Sequence, residues 1–295
     1  MSDYLPQDLH SRTHSPAPAR EPADMIQASS QQLFADRVCL TRRHKIVLND
    51  IGMSVRPGEV IAILGANGAG KSTLLSTLAG ELSADNPDST IAINGHHLDT
   101  LNRMQQARQR SVLPQKSGLA FDLDVSQVVA MGSYPYPEMN EETTRQLMEQ
   151  AMRHAHISEL SDRRYLELSG GEQQRVHYAR AVLQILCGLY QDKNGRYILM
   201  DEPTSSLDPL HQHMLLDSAR TLARDHRLGV LVILHDVNLA ALFSDRIVLL
   251  CDGRVLACDA PGNVLTAENL FQVYGVHAMV MPHPRHTDKT LVVFG

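Results

Sequence analysis

An excess of basic residues is missing: 27 Lys+Arg stand against 33 Asp+Glu, a formal charge of −6. That balance excludes a strongly basic nucleic-acid binder. Long apolar runs are missing too. The longest, Gly229 to Leu234 and Ile247 to Cys251, fall far short of the roughly 20 residues that span a bilayer, so no segment is expected to cross a membrane. The N-terminus has Asp3, Asp8 and several prolines, with no apolar stretch after a basic start. It does not read as a signal peptide, and a cytosolic chain is expected. Cysteine is sparse, and Cys39, Cys187, Cys251 and Cys258 show no CxxC spacing. At this length a disulfide framework is unnecessary, and the four thiols read as reduced packing residues. What is present is ordinary globular usage, 43% hydrophobic and 20% charged in 295 residues, enough for the core of one large domain or two small ones.

Residues 1–32 are rich in Pro, Ser, Gln, Asp and His without apolar periodicity. Such composition cannot offset the entropy of ordering, and a disordered tail is expected. The alternation Ile51, Met53, Val55 predicts a half-buried strand, and the continuous apolar stretch Val60 to Leu64 a strand covered on both faces. Asn94-Gly95 after Ile91 and Ile93 predicts a hairpin turn. Tyr197 to Met200, Gly229 to Leu234 and Ile247 to Cys251 are further apolar strand candidates beside segments of helical spacing. That order implies an α/β fold, a parallel sheet flanked by helices. Residues 125–164 offer no good strand and read as a helical insertion, clearest from Glu141 to His156. Arg246 to Cys258, with Asp252-Gly253 at its middle, reads as a hairpin, Ala267 to Tyr274 as a short helix, and the residues from Val276 onward as a tail of short strands. No internal repeat is evident.

Gly65-Ala66-Asn67-Gly68-Ala69-Gly70-Lys71-Ser72-Thr73 fits GxxxxGK[ST] and lies between the strand ending at Leu64 and an apolar helix running to Ala79. Glycines at 65, 68 and 70 let successive backbone N–H groups converge on a polyphosphate, and the helix starting near Lys71 turns its positive dipole end to the same place. Lys71 would reach the terminal phosphates and Ser72 would place its hydroxyl on Mg²⁺. The apolar strand from Tyr197 ends in Asp201-Glu202, which the open-sheet rule puts at the same carboxyl edge. Asp201 is assigned to the Mg²⁺ shell and Glu202 to polarising an attacking water.

Leu168-Ser169-Gly170-Gly171-Glu172-Gln173 precedes a run with Val176, Ala179, Leu183 and Leu186 at helical spacing. Ser169 and the two glycines therefore sit at a helix N-terminus, a second place favourable to phosphate.

With these motifs in this order, the sequence resembles the nucleotide-binding subunits of ABC transporters over about Val38 to Gly275. On that resemblance Gly65 to Thr73 is the Walker A loop, Gln115 in Val112-Leu113-Pro114-Gln115 the Q-loop, Leu168 to Gln173 the signature, and Tyr197 to Glu202 the Walker B strand with its glutamate. Ser206-Leu207-Asp208 is the D-loop and His235 the switch histidine. The resemblance implies a P-loop NTPase fold with a RecA-like parallel sheet core, a small antiparallel β subdomain, and a helical signature subdomain inserted over about 116–170. The ATPase domain would span 33–275, with 276–295 as a C-terminal extension.

The resemblance further implies ATP and Mg²⁺, bound between the Walker A of one chain and the signature helix of another, hence a homodimer with two composite sites. Nucleotide contacts would come from Gly65, Ala66, Asn67, Gly68, Ala69, Gly70, Lys71, Ser72, Thr73, Gln115, Ser169, Gly170, Gly171, Glu172 and Asp208. Ser72, Gln115 and Asp201 would hold the metal, with Glu202 and His235 in catalysis. The sequence departs from the family pattern in two places. The position aligned with the adenine-stacking aromatic is Leu40, beside Thr41, with Phe34 six residues earlier, so adenine is expected to rest on aliphatic contacts. The spacing from Glu172 to Asp201 is 29 residues, longer than the commonest family pattern; Gln191 to Gly195 reads as a polar turn, and the extra length as an inserted loop.

Leu234 to Ala240 resembles the branch that energises import of ferric siderophores, vitamin B12 and haem. Glu167 to His177, the longer run to Walker B, Thr204 to Asp208 followed by His211-Gln212, and His283-Pro284-Arg285-His286 bring the resemblance to subunits of haem (hemin) import. Two copies of a separate permease and, indirectly, a periplasmic haem-binding protein are then implied as partners, without nucleic acid, at the cytoplasmic face of a bacterial inner membrane. Ferric siderophore and vitamin B12 import stay open. The histidines read as surface residues, since the cargo passes through the permease and His211 and His213 point to different sides of a helix. A soluble ABC ATPase of DNA repair or translation would tend to carry two cassettes or long coiled coils. Intact Lys71, Glu202 and His235 argue against a non-hydrolysing subunit.

Overall fold

The structure is a computed structural model that describes residues 31–115 and 118–295. The expected tail lies, but for Gln31 and Gln32, outside the described residues. Alternating burial makes antiparallel partners of β1 (Leu33–Arg42) and β2 (Lys45–Val55). They are joined through Arg43 and His44 at φ of 49° and 64°, the two left-handed residues that match a hairpin's twist. Ser54 is buried beside Met53 and Val55, so the end of β2 is covered on both faces rather than half-buried; this strand packs against the parallel sheet as well as β1.

β3 (Val60–Gly65) is buried throughout and leads through the phosphate loop to α1 (Lys71–Leu78). The expected turn at Asn94-Gly95, φ 49° and 81°, joins β4 (Thr90–Ile93) to β5 (His96–His97). Then come α2 (Arg103–Gln109), β6 (Arg110–Leu113), α3 (Val125–Ala130), α4 (Glu141–His154) and α5 (Gly170–Gln191). β7 (Arg196–Asp201), α6 (Pro209–His226), β8 (Leu228–Ile233), α7 (Val237–Phe243) and β9 (Arg246–Cys251) continue the α/β alternation. The chain closes with β10 (Arg254–Asp259), α8 (Pro261–Val264), α9 (Ala267–Tyr274) and the hairpin β11 (Ala278–Pro282), β12 (Thr290–Phe294).

One sheet has the order β2-β1-β4-β5 and is antiparallel; the other has the order β10-β9-β3-β8-β7-β6 and is parallel except for β10. The parallel sheet expected from the strand spacing is therefore present. It separates two cores by the period of two along a strand. Val60, Ala62 and Leu64 of β3 face the helices from α3 to α6, whereas Ile61 and Ile63 face β1, β2 and α1. Each fully buried Leu or Ile contributes roughly 1.5–3 kcal/mol relative to exposure.

The polar turn expected before β7 is present, but it is no inserted loop. α5 runs 22 residues to Gln191, leaving only Asp192 to Gly195 between helix and strand. Arg196, 3% exposed, holds that turn. Its guanidinium donates to the carbonyls of Gly188 at 3.1 Å and Asn194 at 3.1 Å and pairs with Asp192 at 2.8 Å. The four cysteines are free thiols, and among the described residues no helix is long and apolar enough to cross a membrane.

Candidate active site

β3, β8 and β7 lie side by side and parallel, so their carboxyl ends, Gly65, Ile233 and Asp201, open on one sheet edge. The loop after Gly65 is shaped by backbone crowding. A Cβ on Gly65 (φ 153°) would lie 2.6 Å from the Leu250 carbonyl, and one on Gly70 (φ 102°) 2.8 Å from that of Val47. Gly68 (φ 82°) meets nothing within 4 Å and supplies the left-handed turn itself. Gly70 caps α1 without a side-chain hydrogen bond, so no cap side chain competes for the first N–H groups of the helix.

Lys71 is buried, and its Nζ donates to the carbonyls of Gly65 at 2.8 Å and Ala66 at 3.0 Å. Burial holds its pKa below the usual lysine value, against the pull of the Glu202 and Asp201 carboxylates. The Ser72 hydroxyl donates to Asp201 Oδ1 at 3.2 Å. Burial raises the Asp201 carboxyl pKa, the Ser72 hydrogen bond lowers it, and neighbouring Glu202 raises it further. Both oxygens of Glu202 are engaged: Oε2 accepts from Gln115 Nε2 at 2.6 Å, and Oε1 lies 2.6 Å from His235 Nε2. Glu202 has φ 49°, a left-handed conformation that costs a non-glycine residue on the order of 1–3 kcal/mol and is commonest where function demands it. Gln115 thus joins this cluster through Glu202 rather than through Ser72 or Asp201.

A second cluster lies in a cleft of about 530 Å³ lined by Ser169, Gly170, Gly171, Glu172, Arg175, Ser206, Leu207, Asp208 and His211. None of these belongs to the first cluster. Ser169 caps α5 in a reciprocal box: its Oγ accepts from the Glu172 N–H at 3.3 Å, while Glu172 Oε2 accepts from the Ser169 N–H at 2.8 Å and hydroxyl at 2.7 Å. Those bonds, the hydroxyl first, hold the Glu172 carboxyl below the usual carboxylate range. A Cβ on Gly171 would lie 3.1 Å from the Ser206 carbonyl, so this glycine lets the two loops meet. Asp208 caps α6, accepting from the His211 N–H at 2.9 Å and lying 2.8 Å from His211 Nδ1; its carboxyl is lowered by those two bonds in that order.

Leu40 does not stand where adenine contact was expected. It is 4% exposed, paired with Leu48 of β2 and on the same inward face of β1 as Val38, packed into the core shared with Ile61 and Ile63. Thr41 and Arg42 are the exposed residues at that strand end, so aliphatic contact from Leu40 is corrected.

The donors gathered near Lys71 suit a small hard cation. A hydroxyl from Ser72 and a carboxylate from Asp201 are oxygen ligands of the kind Mg²⁺ takes alongside substrate phosphates. The family model described as ABC transporter matches residues 48–205. The chain belongs to the ABC transporter family. The match begins in β2 and ends just past Glu202, so it takes in the phosphate loop, Gln115, Ser169 to Glu172 and the acidic end of β7, but not Asp208 or His235.

Curated relatives in this family carry the similarity further. The chain is 49% identical over 261 residues to the hemin import ATP-binding protein HmuV of Bordetella avium (strain 197N), covering 88% of this chain and 98% of that one. It is 46% identical over 260 residues to the HmuV of Pseudomonas fluorescens (strain Pf0-1), covering 88% and 99%. In fold it is similar to an inward-facing metal-chelate type ABC transporter (TM-score 0.73, 23% identity, 90% of this chain and 98% of that one). A dimeric bacterial ABC transporter cassette is also similar (TM-score 0.68, 24% identity, 78% and 98%).

The bonds of Gln173 to the Leu168 carbonyl and of Gln212 to the Leu207 carbonyl, and the Asp208–His211 pair, were not read from the sequence. A signal existed in the shared spacing of Leu168-Ser169-x-x-Glu172-Gln173 and Leu207-Asp208-x-x-His211-Gln212.

Proposed function

We propose that this chain is the ATP-hydrolysing subunit of a haem (hemin) importer, acting as a homodimer with two copies of a permease at the cytoplasmic face of the bacterial inner membrane. The cargo rests on the near full-length likeness to proteins named for hemin import. The chemistry rests on one observation above the others: Glu202, at the edge where the phosphate loop opens, is held between Gln115 and His235. The ATPase domain spans 33–275, with its helical part over about 116–170 and with 276–295 as an extension.

In this reading the backbone N–H groups of Gly65 to Thr73 and the Lys71 ammonium take the β- and γ-phosphates of ATP. Ser72, Asp201 and Gln115 would hold Mg²⁺, which would neutralise charge on the phosphates. Phosphoryl transfer asks mainly for positioning and electrostatic stabilisation. Glu202 orients the water and takes its proton as the water oxygen bonds the γ-phosphorus and the bond to ADP breaks. His235 contacts the γ-phosphate and keeps Glu202 in place. Ser169 to Glu172 and Asp208 of a second copy complete each site, a reading supported by their lining a cleft to which Lys71, Ser72, Asp201 and Glu202 of the same chain contribute nothing. The energy that closes the dimer is ATP's differential contact with the closed state.

A cleft of about 600 Å³ between α2, α3 and α4, lined by Met104, Tyr134, Tyr136, Met139 and Met148, is the apolar surface assigned to the permease. β6 runs from α2 towards Gln115, so one strand joins this surface to Glu202.

The test is ATP hydrolysis by the subunit co-purified with its native permease in lipid, comparing haem-loaded with ferric-siderophore-loaded binding protein and a Glu202→Gln control. Stimulation by the haem-loaded protein alone is expected. Stimulation by the siderophore form alone would replace the cargo, and failure of any permease to accompany the subunit would remove the transport reading in favour of a soluble ATPase.

A further inference from the structure

The two loops that form the cleft between Ser169–Glu172 and Ser206–Asp208 are built on one hydrogen-bonding frame. At the start of α5, Gln173 Nε2 reaches back to the carbonyls of Leu168 at 3.2 Å and Tyr165 at 3.3 Å. At the start of α6, Gln212 Nε2 reaches back to the carbonyls of Leu207 at 3.0 Å and Thr204 at 3.1 Å. In both, the leucine N–H closes a turn onto that more distant carbonyl at 3.2 Å, and the glutamine N–H joins the cap residue's carbonyl at 2.9 Å. Each side chain thus ties the loop entering its helix at two points, five and eight residues back.

A third copy of the frame stands elsewhere. Asn102 caps α2, and Gln106 Nε2 donates to Leu101 at 3.0 Å and Leu98 at 2.9 Å. None of these residues lines the cleft. The frame itself is therefore a general way to stiffen a helix entry. What differs at Gln173 and Gln212 is that the stiffened loops face each other across one cleft, with Gly171 bringing them into contact. The loop held by Gln212 also begins two residues after Glu202.

We propose that Gln173 and Gln212 are positioning residues for the composite ATP site, fixing the signature and Asp208 loops in the shape that receives the nucleotide held by a second copy. This rests on the dimer reading above. A preorganised loop loses less conformational freedom when the sites close. Removing the side-chain donors therefore raises the ATP concentration needed for closure without touching the phosphate loop of the same chain.

The experiment uses the full chain carrying Glu202→Gln, with ATP-driven dimerisation followed by sedimentation and binding to the single chain followed with fluorescent mant-ADP. Gln173→Met and Gln212→Met, of similar length but without the donors, should each raise the half-saturating ATP for dimerisation on the order of tenfold, with mant-ADP affinity within about twofold of the parent. Gln106→Met, which removes the same frame away from the cleft, should leave dimerisation as in the parent. If the methionine variants do not fold, Gln173→Asn and Gln212→Asn, too short to reach both carbonyls, give the same reading. Unchanged dimerisation, an equal loss in Gln106→Met, or a parallel loss of mant-ADP affinity would each overturn the assignment alone. A parent that does not dimerise with ATP would overturn the composite-site reading and this assignment with it.

Discussion

Gln115 Nε2 and Glu202 Oε2 lie 2.6 Å apart, joining a residue two positions past β6 to the acidic end of β7. With His235 Nε2 on the other oxygen, the glutamate has one neighbour towards the helical insertion and one towards α7. Glu202→Gln keeps the shape and removes the proton acceptor. Turnover should fall by about 10²–10⁴-fold while ATP binding persists, measured by phosphate release alongside equilibrium nucleotide binding. Unchanged turnover would remove Glu202 from the chemistry.

Asp201 carries a cost in the free protein. Its carboxyl pKa is raised, first by burial and then by neighbouring Glu202, despite the Ser72 hydroxyl. A carboxyl whose folded pKa exceeds its unfolded value binds more protons when folded, so stability falls as pH rises through the window above 3.8, the ordinary aspartate value. Asp201→Asn should therefore raise the melting temperature of the nucleotide-free protein at neutral pH by roughly 2–4 °C. The gain should shrink as pH falls towards 3.8, and ATPase activity should be lost at every pH. A lower melting temperature at neutral pH would show that the Ser72 bond outweighs burial.

The parallel sheet and the phosphate loop were legible because their strands are continuous apolar runs and the glycines at 65, 68 and 70 have local backbone reasons. Asp201 and Glu202 were legible as well, since a strand end at a known sheet edge fixes where its last carboxylates stand. Leu40 was misplaced because its adenine contact came from alignment with the family pattern; along the strand Val38 and Leu40 are buried while Cys39 is half-buried and Thr41 exposed, so the period of two turns Leu40 inward. The long run to Asp201 was read as an inserted loop, whereas the helix takes up most of it; Arg196 follows the polar turn in sequence, yet its guanidinium reaches back to Gly188 inside the helix. The glutamine frames were hidden by their ordinary composition and show only when three helix starts are aligned.

Gly188 shows how tightly that turn is packed. A Cβ there would lie 2.5 Å from both Arg196 Nε and Tyr136 Oη, and both side chains are buried. The Tyr136 hydroxyl is committed to the Arg108 carbonyl at 2.9 Å, with burial pushing its pKa up to about 12. Neither side chain can move aside without breaking its bonds to the Arg108, Gly188 and Asn194 carbonyls. Gly188→Ala should cost about 1–3 kcal/mol, read from urea unfolding; a loss below 0.5 kcal/mol, on the order of an ordinary surface change, would mean that the pocket yields.

Asn238, three residues past His235, acts as a strand partner made from a side chain. Its Nδ2 donates to the Val292 carbonyl at 3.0 Å and its Oδ1 accepts from the Val292 N–H at 2.8 Å, clamping β12 to α7. Asn238→Asp retains the acceptor but sets a carboxylate oxygen against the Val292 carbonyl, so the substitution separates the two bonds. Amide exchange across β11 and β12 should quicken by about tenfold in Asn238→Asp and more in Asn238→Ala, since each lost bond is worth about 0.5–1.5 kcal/mol. Exchange elsewhere in the parallel sheet should stay at the parent rate. If both variants exchange like the parent, apolar packing on α7 and α9 holds the hairpin without the clamp.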